Sequence, residues 1–268
     1  MCELFAVSAA RPSVLHYELN RFAREGGERH RNRDGWGIAF AEERDSHLFR
    51  EAEPAADSEL AKMVMARAIP SRTVLAHVRR ASRGARLIAN THPFTRVREG
   101  RAQHFAHNGT LHGIESLPEA VALARQRVGD TDSELAFLLL LARMGRSGGG
   151  IDKRFDIFST FCADMRALGS ANFLFYDGDV LFAHADRRQY ETERGLTEPR
   201  EPGLVIRRFE TEGECLDGWH ATGAHIPEVH PGTVLLASVP LNDSGWHDLP
   251  RGATLALRDG SILASCGM

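Results

Sequence analysis

The chain has few cysteines, little net charge and no long apolar run, and each lack narrows its class. Cys2, Cys162, Cys215 and Cys266 are widely scattered and form no CxxC pair. That spacing suggests neither a zinc ribbon nor a disulfide framework, and it fits a reducing compartment. The net charge of −3 gives no sign of a nucleic-acid partner. The longest apolar run, from Leu135 to Ala142, is far too short to cross a bilayer. No basic stretch followed by an apolar region of signal-peptide length opens the chain, so a cytoplasmic location is expected. GxGxxG and GxxxxGKS are both missing, which leaves a nucleotide site without motif support, and no cofactor is expected. No internal repeat or low-complexity linker divides the sequence. With 43% apolar and 26% charged residues over 268 positions, it has the composition of a globular protein.

The order of signals is strands, helices, strands. Residues 3–9 are apolar and compatible with a strand, so a strand begins near the very start. Leu15, Leu19 and Phe22 fall at helical spacing, and Gly26-Gly27 ends that helix. DGWGIAFA runs from a glycine-punctuated turn into a strand, and TVLAHV (73–78) reads as a buried one. A further strand starts at Ala102 and is predicted to stop at the turn signal Asn108-Gly109. Helices are predicted from Leu117 to Val128, with Pro118 in its first turn, from Asp132 to Met144, and from Ile151 to Leu168. The stretch NFLFYDGDVLFAHA is a hairpin around Asp177-Gly178. Strand-like runs recur at Leu204–Arg208, Val234–Val239, Ala253–Leu257 and Ser261–Ser265. The pattern implies an α+β fold with two mainly antiparallel sheets and helices outside them.

Several short stretches place polar residues at the ends of apolar elements: AHVRRASRG, NTHPF, FAHNGTL and GDTDSEL. Asn108-Gly109 has two readings, an ordinary turn or a pair of donors for an oxyanion. Arg79 and Arg80 are either a surface salt-bridge pair or a receptor for a carboxylate, which guanidinium binds in bidentate fashion. Asp132 either caps its helix or receives an ammonium. Arg79 with Asp132 could hold both ends of an α-amino acid. His77, His92, His104, His107 and His112 lie close in sequence, but match neither HExxH nor a zinc-finger spacing. His104 and His107 would face opposite ways on a strand. No metal site is expected, although a histidine-built metal hydrolase stays a competing reading. Cys162 reads as core, and Cys215 and Cys266 receive no role. Cys2 has two readings, an accident at a tolerant terminus or a reactive residue, since removal of Met1 would leave its thiol and a free α-amine on one Cα. The amine's reference pKa of about 7.7–8.0 suits it to act as a base.

Cys2 after Met1, R-x-A-[ST]-x-G, N-x-H-P, H-N-G and T-D-[ST]-E occur in that order across residues 2–135. This set resembles the class II glutamine amidotransferases of the N-terminal nucleophile hydrolase superfamily. MCELF, DGWGIAF, NTHPFTR and GDTDSE are similar to the free-standing YafJ-type members. The resemblance implies a four-layer αββα sandwich and a single glutaminase domain over residues 1–268, without a synthase domain. It implies Cys2 as nucleophile with its own amine as base, and Asn108 and Gly109 as oxyanion hole. Arg79 corresponds to the carboxylate holder, Ser82 lines that side, Asp132 holds the amine, and His92 lies near the pocket. Arg80 departs from the pattern, because a bulky residue often follows the arginine in related branches. The implied activity is hydrolysis of the glutamine amide through a γ-glutamyl thioester, delivering ammonia to an acceptor or a separate synthase subunit. Competing readings are a stand-alone amidohydrolase for γ-glutamyl metabolites and a silent regulatory protein of the same fold.

Overall fold

A computed structural model describes residues 2–14, 16–28, 31–67, 69–82, 84–145, 149–210, 229–242 and 245–268. Cys215 lies outside them. The first half contains β1 (Glu3–Ser13), α1 (His16–Ala23), β2 (Trp36–Glu42), β3 (Asp45–Glu51), α2 (Glu59–Ala66), β4 (Ser71–Val78), β5 (Phe94–Arg98) and β6 (Arg101–Leu111). The short α3 (Pro118–Val121) leads to α4 (Asp132–Met144) and α5 (Ile151–Arg166). Then come β7 (Gly169–Tyr176), β8 (Leu181–His184), the two-residue β9 (Glu191–Thr192) and β10 (Gly195–Leu196), and β11 (Val205–Phe209). The chain finishes with β12 (Thr233–Ala237), β13 (His247–Asp248), β14 (Thr254–Arg258) and β15 (Ser261–Cys266).

Two antiparallel sheets face each other, ordered β13-β11-β12-β1-β4-β2-β3 and β15-β14-β8-β7-β6-β5. The two-residue side-chain period of a strand sorts each one between layers. On β1, Phe5, Val7 and Ala9 pack with Phe22 of α1 and Ala61, Val64 and Met65 of α2, whereas Leu4 and Ala6 face the opposite sheet. On β6, Phe105 and Leu111 pack under α4 and α5, while Ala106 faces inward between the sheets. The result is a helix–sheet–sheet–helix sandwich with three apolar layers.

The helix caps explain where two elements begin. Ser58 caps α2 by accepting from the Ala61 amide at 2.9 Å. Thr131 caps α4 by accepting from the Glu134 amide. Glu134 in turn accepts from the amides of Val128 and Gly129, pulling the preceding loop onto the helix start. That pull helps explain why the helix expected from Leu117 to Val128 is only the one turn of α3 followed by a 3₁₀ turn at Ala124–Gln126. Its apolar support is also thin: Ala120 is its one buried residue among the turn-forming positions. The expected helices starting at Asp132 and Ile151 are present. Strands β3 and β5 and helix α2 went unread, although Ser58 followed by Ala61, Val64 and Met65 carried a helical signal.

The strand expected to stop at Asn108-Gly109 instead runs through it to Leu111. Asn108 pairs with Asn172 and Gly109 with Ala171 on β7. Glycine is required there for space, since a Cβ on Gly109 would collide with the Ser170 carbonyl. The dipeptide is thus a close strand approach rather than a turn.

Candidate active site

The start of β1 and the end of β4 lie side by side, because Glu3 pairs with Val78. This register puts the next residue out on each strand, Cys2 and the Arg79-Arg80 pair, at one end of the sandwich. The Cys2 sulfur sits against a single peptide unit pair of the β4 exit. Arg80 N–H donates to Sγ at 3.1 Å, and Sγ lies 3.2 Å from Arg80 O. Burial pushes the thiol above its ordinary pKa, while the Arg80 amide and the Arg79 charge act to lower it.

The two arginines part ways. Arg79 turns inward and is 3% exposed. Its guanidinium donates to the carbonyls of Asp34, Gly84 and Ala85 at 3.2–3.3 Å. Arg80 turns outward to Glu191, 3.2 Å away. The loop after Arg79 is braced from two sides. Asp34 accepts from the Ala81 amide at 2.8 Å. Asn90 donates to Ala85 O and accepts from Asp130 N, both at 3.0 Å, tying this loop to the approach of α4.

Ser82 carries the contacts on to β6, with its Oγ 3.2 Å from Thr110 Oγ1. Beyond Phe105 the partner β5 ends, so the last residues of β6 have one edge uncovered by any strand among the described residues. Asp132 reaches that edge, accepting from the Leu111 amide at 2.7 Å. Successive amides of a strand alternate in direction. The Gly109 N–H, two residues before Leu111, therefore points to the same open edge. Thr131 provides the cap of α4, which leaves the Asp132 carboxylate directed at β6.

Asn108 is fully buried on the inter-sheet face. Its Nδ2 lies 3.3 Å from Ser238 Oγ, and its Oδ1 has no partner among the described residues. Ser238 also accepts from the Leu4 amide, and its own amide donates to Leu4 O. With the amide turned over, the Ser238 hydroxyl donates to Oδ1 and Nδ2 is free as a donor. Ser238 thus ties the Cys2 strand to Asn108.

The histidines pair with rings and polar neighbours rather than gathering as metal ligands among the described residues. The His92 ring packs at a tilt against His77, with centroids 4.2 Å apart, and against Phe94 at 4.4 Å. Both rings are buried beside the Arg79 charge, and burial pushes His77 down to about 3 and His92 well down. His104 bonds Thr95, and His107 bonds Ser133 and the Ser170 carbonyl on the other face of β6. Among the described residues no three His, Cys, Asp or Glu side chains come together as a metal site. No helix of the described residues is long and apolar enough to cross a membrane.

A family model described as class-II glutamine amidotransferases matches residues 1–204. The chain belongs to this family. It is 37% identical over 188 residues to the putative glutamine amidotransferase YafJ of Escherichia coli, covering 69% of this chain and 72% of that protein. It is 33% identical over 268 residues to a putative glutamine amidotransferase of Haemophilus influenzae, covering 98% and 86%. A crystal structure of a predicted glutamine amidotransferase from Pseudomonas aeruginosa superimposes with a TM-score of 0.63 at 28% identity, over 98% of this chain and all of that one. The glutamine phosphoribosylpyrophosphate amidotransferase of Bacillus subtilis shares the fold at a TM-score of 0.61 and 16% identity, with 49% of that chain covered. The chain therefore shares the four-layer sandwich fold of these amidotransferases.

The geometry brings Cys2, Arg79, Ser82, Gly109 and Asp132 onto one linked rim. His92 lies behind it in the core, packed against the histidine of β4. Sequence reasoning overlooked Asp34, Asn90 and Ser238. Asp34 and Asn90 lay inside stretches already notable, DGWG and NTHP. Ser238 follows a strand with no motif around it and left no signal.

Proposed function

We propose that this amidotransferase hydrolyses the side-chain amide of glutamine through a γ-glutamyl thioester on Cys2, releasing ammonia for an acceptor. The observation that carries the reading is the Cys2 sulfur held on the Arg80 peptide, on the same rim as Arg79, the Gly109 amide and Asp132. A guanidinium and a carboxylate on one rim suit the two charges of a free amino acid.

With Met1 removed, the Cys2 α-amine takes the thiol proton, and the thiolate attacks the amide carbon. The electron pair of the carbonyl moves onto oxygen, where the Gly109 N–H and the Asn108 amide donate. Such a donor is worth about 100- to 1000-fold in rate. The protonated amine returns its proton to the leaving nitrogen, ammonia departs, and the thioester remains. Water adds to the thioester with the amine as base, and the thiol is restored as glutamate leaves. Arg79 and Ser82 receive the α-carboxylate and Asp132 the α-ammonium, with His92 buried behind Arg79.

Exposure to a glutamine-like diazoketone, followed by intact and peptide mass spectrometry, tests the reading. One adduct on Cys2 in chains lacking Met1, protection by glutamine, and no ammonia release by Cys2→Ala are the expected results. A processed protein that remains unlabelled and releases no ammonia from glutamine would overturn it.

A further inference from the structure

The segment between β8 and β11 does more than connect two sheets. Arg188 pairs with Glu3, the residue beside Cys2, and both side chains are buried. Three residues on, Glu191 meets Arg80, whose own peptide holds the Cys2 sulfur. Glu191 also accepts from the Arg31 amide and lies 3.4 Å from the Arg31 guanidinium. The segment thus grips the nucleophile's surroundings on both sides of the sulfur.

It is also stiff. The Tyr190 ring lies between two guanidinium groups, Arg188 at 4.5 Å and Arg200 at 4.2 Å. Its hydroxyl donates to Pro202 O at 2.6 Å, and Arg188 and Arg200 exchange backbone hydrogen bonds in both directions. The turn of β9 and β10 closes this loop on itself, with the Thr192 hydroxyl donating to Gly195 O. A preorganised loop transmits the position of its anchor points instead of absorbing it.

We infer that residues 186–200 form a strap in which Glu191 is a positioning residue for Cys2, acting through the Arg80 side chain to keep the Arg80 peptide on the sulfur. The inference builds on Cys2 as the nucleophile. A single, partly buried ion pair of this kind contributes modestly to global stability. Its effect is local: with Arg80 untethered, the peptide leaves the sulfur, and Sγ becomes more accessible and less well aimed.

The experiment is the pH–rate profile for alkylation of Cys2 by chloroacetamide, read by peptide mass spectrometry, in wild type, Glu191→Ala, Arg80→Ala and the double variant. Arg80→Ala keeps the amide that touches sulfur and removes only its anchor. Each single variant is expected to raise the high-pH plateau about fivefold, the change an ion pair worth about 1 kcal/mol produces. The double variant should match Glu191→Ala, because removing the Arg80 side chain adds nothing once its partner is gone. Cys162 is buried and Cys266 exposed. An unlabelled Cys162 and an unchanged Cys266 rate therefore show that the fold is intact. Labelling of wild type by the diazoketone serves as the separate control on the glutaminase reading. A raised plateau with no diazoketone adduct would keep the strap and remove the glutaminase. Diazoketone labelling with plateaus within about twofold of wild type in both single variants would remove the strap and keep the glutaminase. Additive effects in the double variant would also overturn the strap, since the two residues would then act separately.

Discussion

Gly109 shows how much one missing Cβ decides. The strand approaches β7 so closely that any side chain at this position meets the Ser170 carbonyl and the His107 ring. Gly109→Ala must push β6 and β7 apart at the point where the Gly109 amide faces the open edge. Overpacking of this kind costs about 1–3 kcal/mol. A lower urea midpoint together with a loss of glutamine hydrolysis is the expected pair of results, and a variant with the wild-type midpoint would show that the strands have room to spare. At this scale the sequence was legible in part. The dipeptide stood out, but its meaning was inverted, since Asn-Gly usually marks a turn and only the partner strand shows that close approach demanded the glycine. The cysteine at position 2 and the arginine at 79 stood out because their chemistry is unusual for their places, and the fold sets them at one end of the sandwich. Ser238 was not, because a serine at a strand end is ordinary until Leu4 and Asn108 are seen to converge on it.

Among the elements, α5 stands out for its aromatic face. Phe155, Phe158 and Phe161 are buried, with Phe158 stacked near Phe175 and Phe182 at centroid distances of 6.1 and 5.2 Å. Phe161 packs on Phe173 at 5.4 Å. This layer joins α5 to β7 and β8, and it lies far in sequence from the nucleophile. Phe158→Ala removes a ring from a filled layer, and a loss of about 3–5 kcal/mol is expected. Chemical denaturation measures it, and a loss under about 1 kcal/mol would mean the layer refills easily. Helices α4 and α5 were readable because each carries its own start signal and a periodic apolar face. The helix expected after Leu117 failed because its apolar face is thin and the Glu134 carboxylate claims the amides at its far end. Edge strands β3 and β5 were missed because half-exposed strands alternate weakly, even though each forms a tight hairpin with its neighbour, Glu42 pairing with Asp45 and Arg98 with Arg101.

Across the whole molecule, several histidines are buried and held neutral. Burial pushes His77 down to about 3, with the Arg79 charge adding to the shift. Burial likewise brings His104 and His184 down to about 4. Unfolded, each takes up a proton near pH 6.5. The unfolded chain therefore binds more protons than the native one at any pH between those values and 6.5. Stability is full above pH 6.5 and falls as the pH drops toward 4, by up to about 1.4 kcal/mol per pH unit for each histidine. Urea midpoints at pH 7.5 and 5 measure this, and equal midpoints would mean these rings are protonated in the native state. The layered architecture was legible from the strand–helix–strand order and from the family motifs. The linked rim was legible only residue by residue, because Cys2, Asp34 and Asn90 reach residues 80–85 through hydrogen bonds that span 5 to 78 positions of sequence, and Asp132 joins through the Leu111 amide.

The pairing of β1 with β12 sets a timetable for the ribosome. Phe5 lies opposite Ala237, and the Leu4 carbonyl waits for the Ser238 amide. One flank of the nucleophile's strand therefore stays without its partner until more than two hundred further residues have been made. At about 5–20 residues per second that delay is tens of seconds. Throughout it, Cys2 lacks the β12 side of its surroundings. The rim around Cys2 is therefore completed only late in synthesis, when Ser238 takes its place beside Leu4 and Asn108.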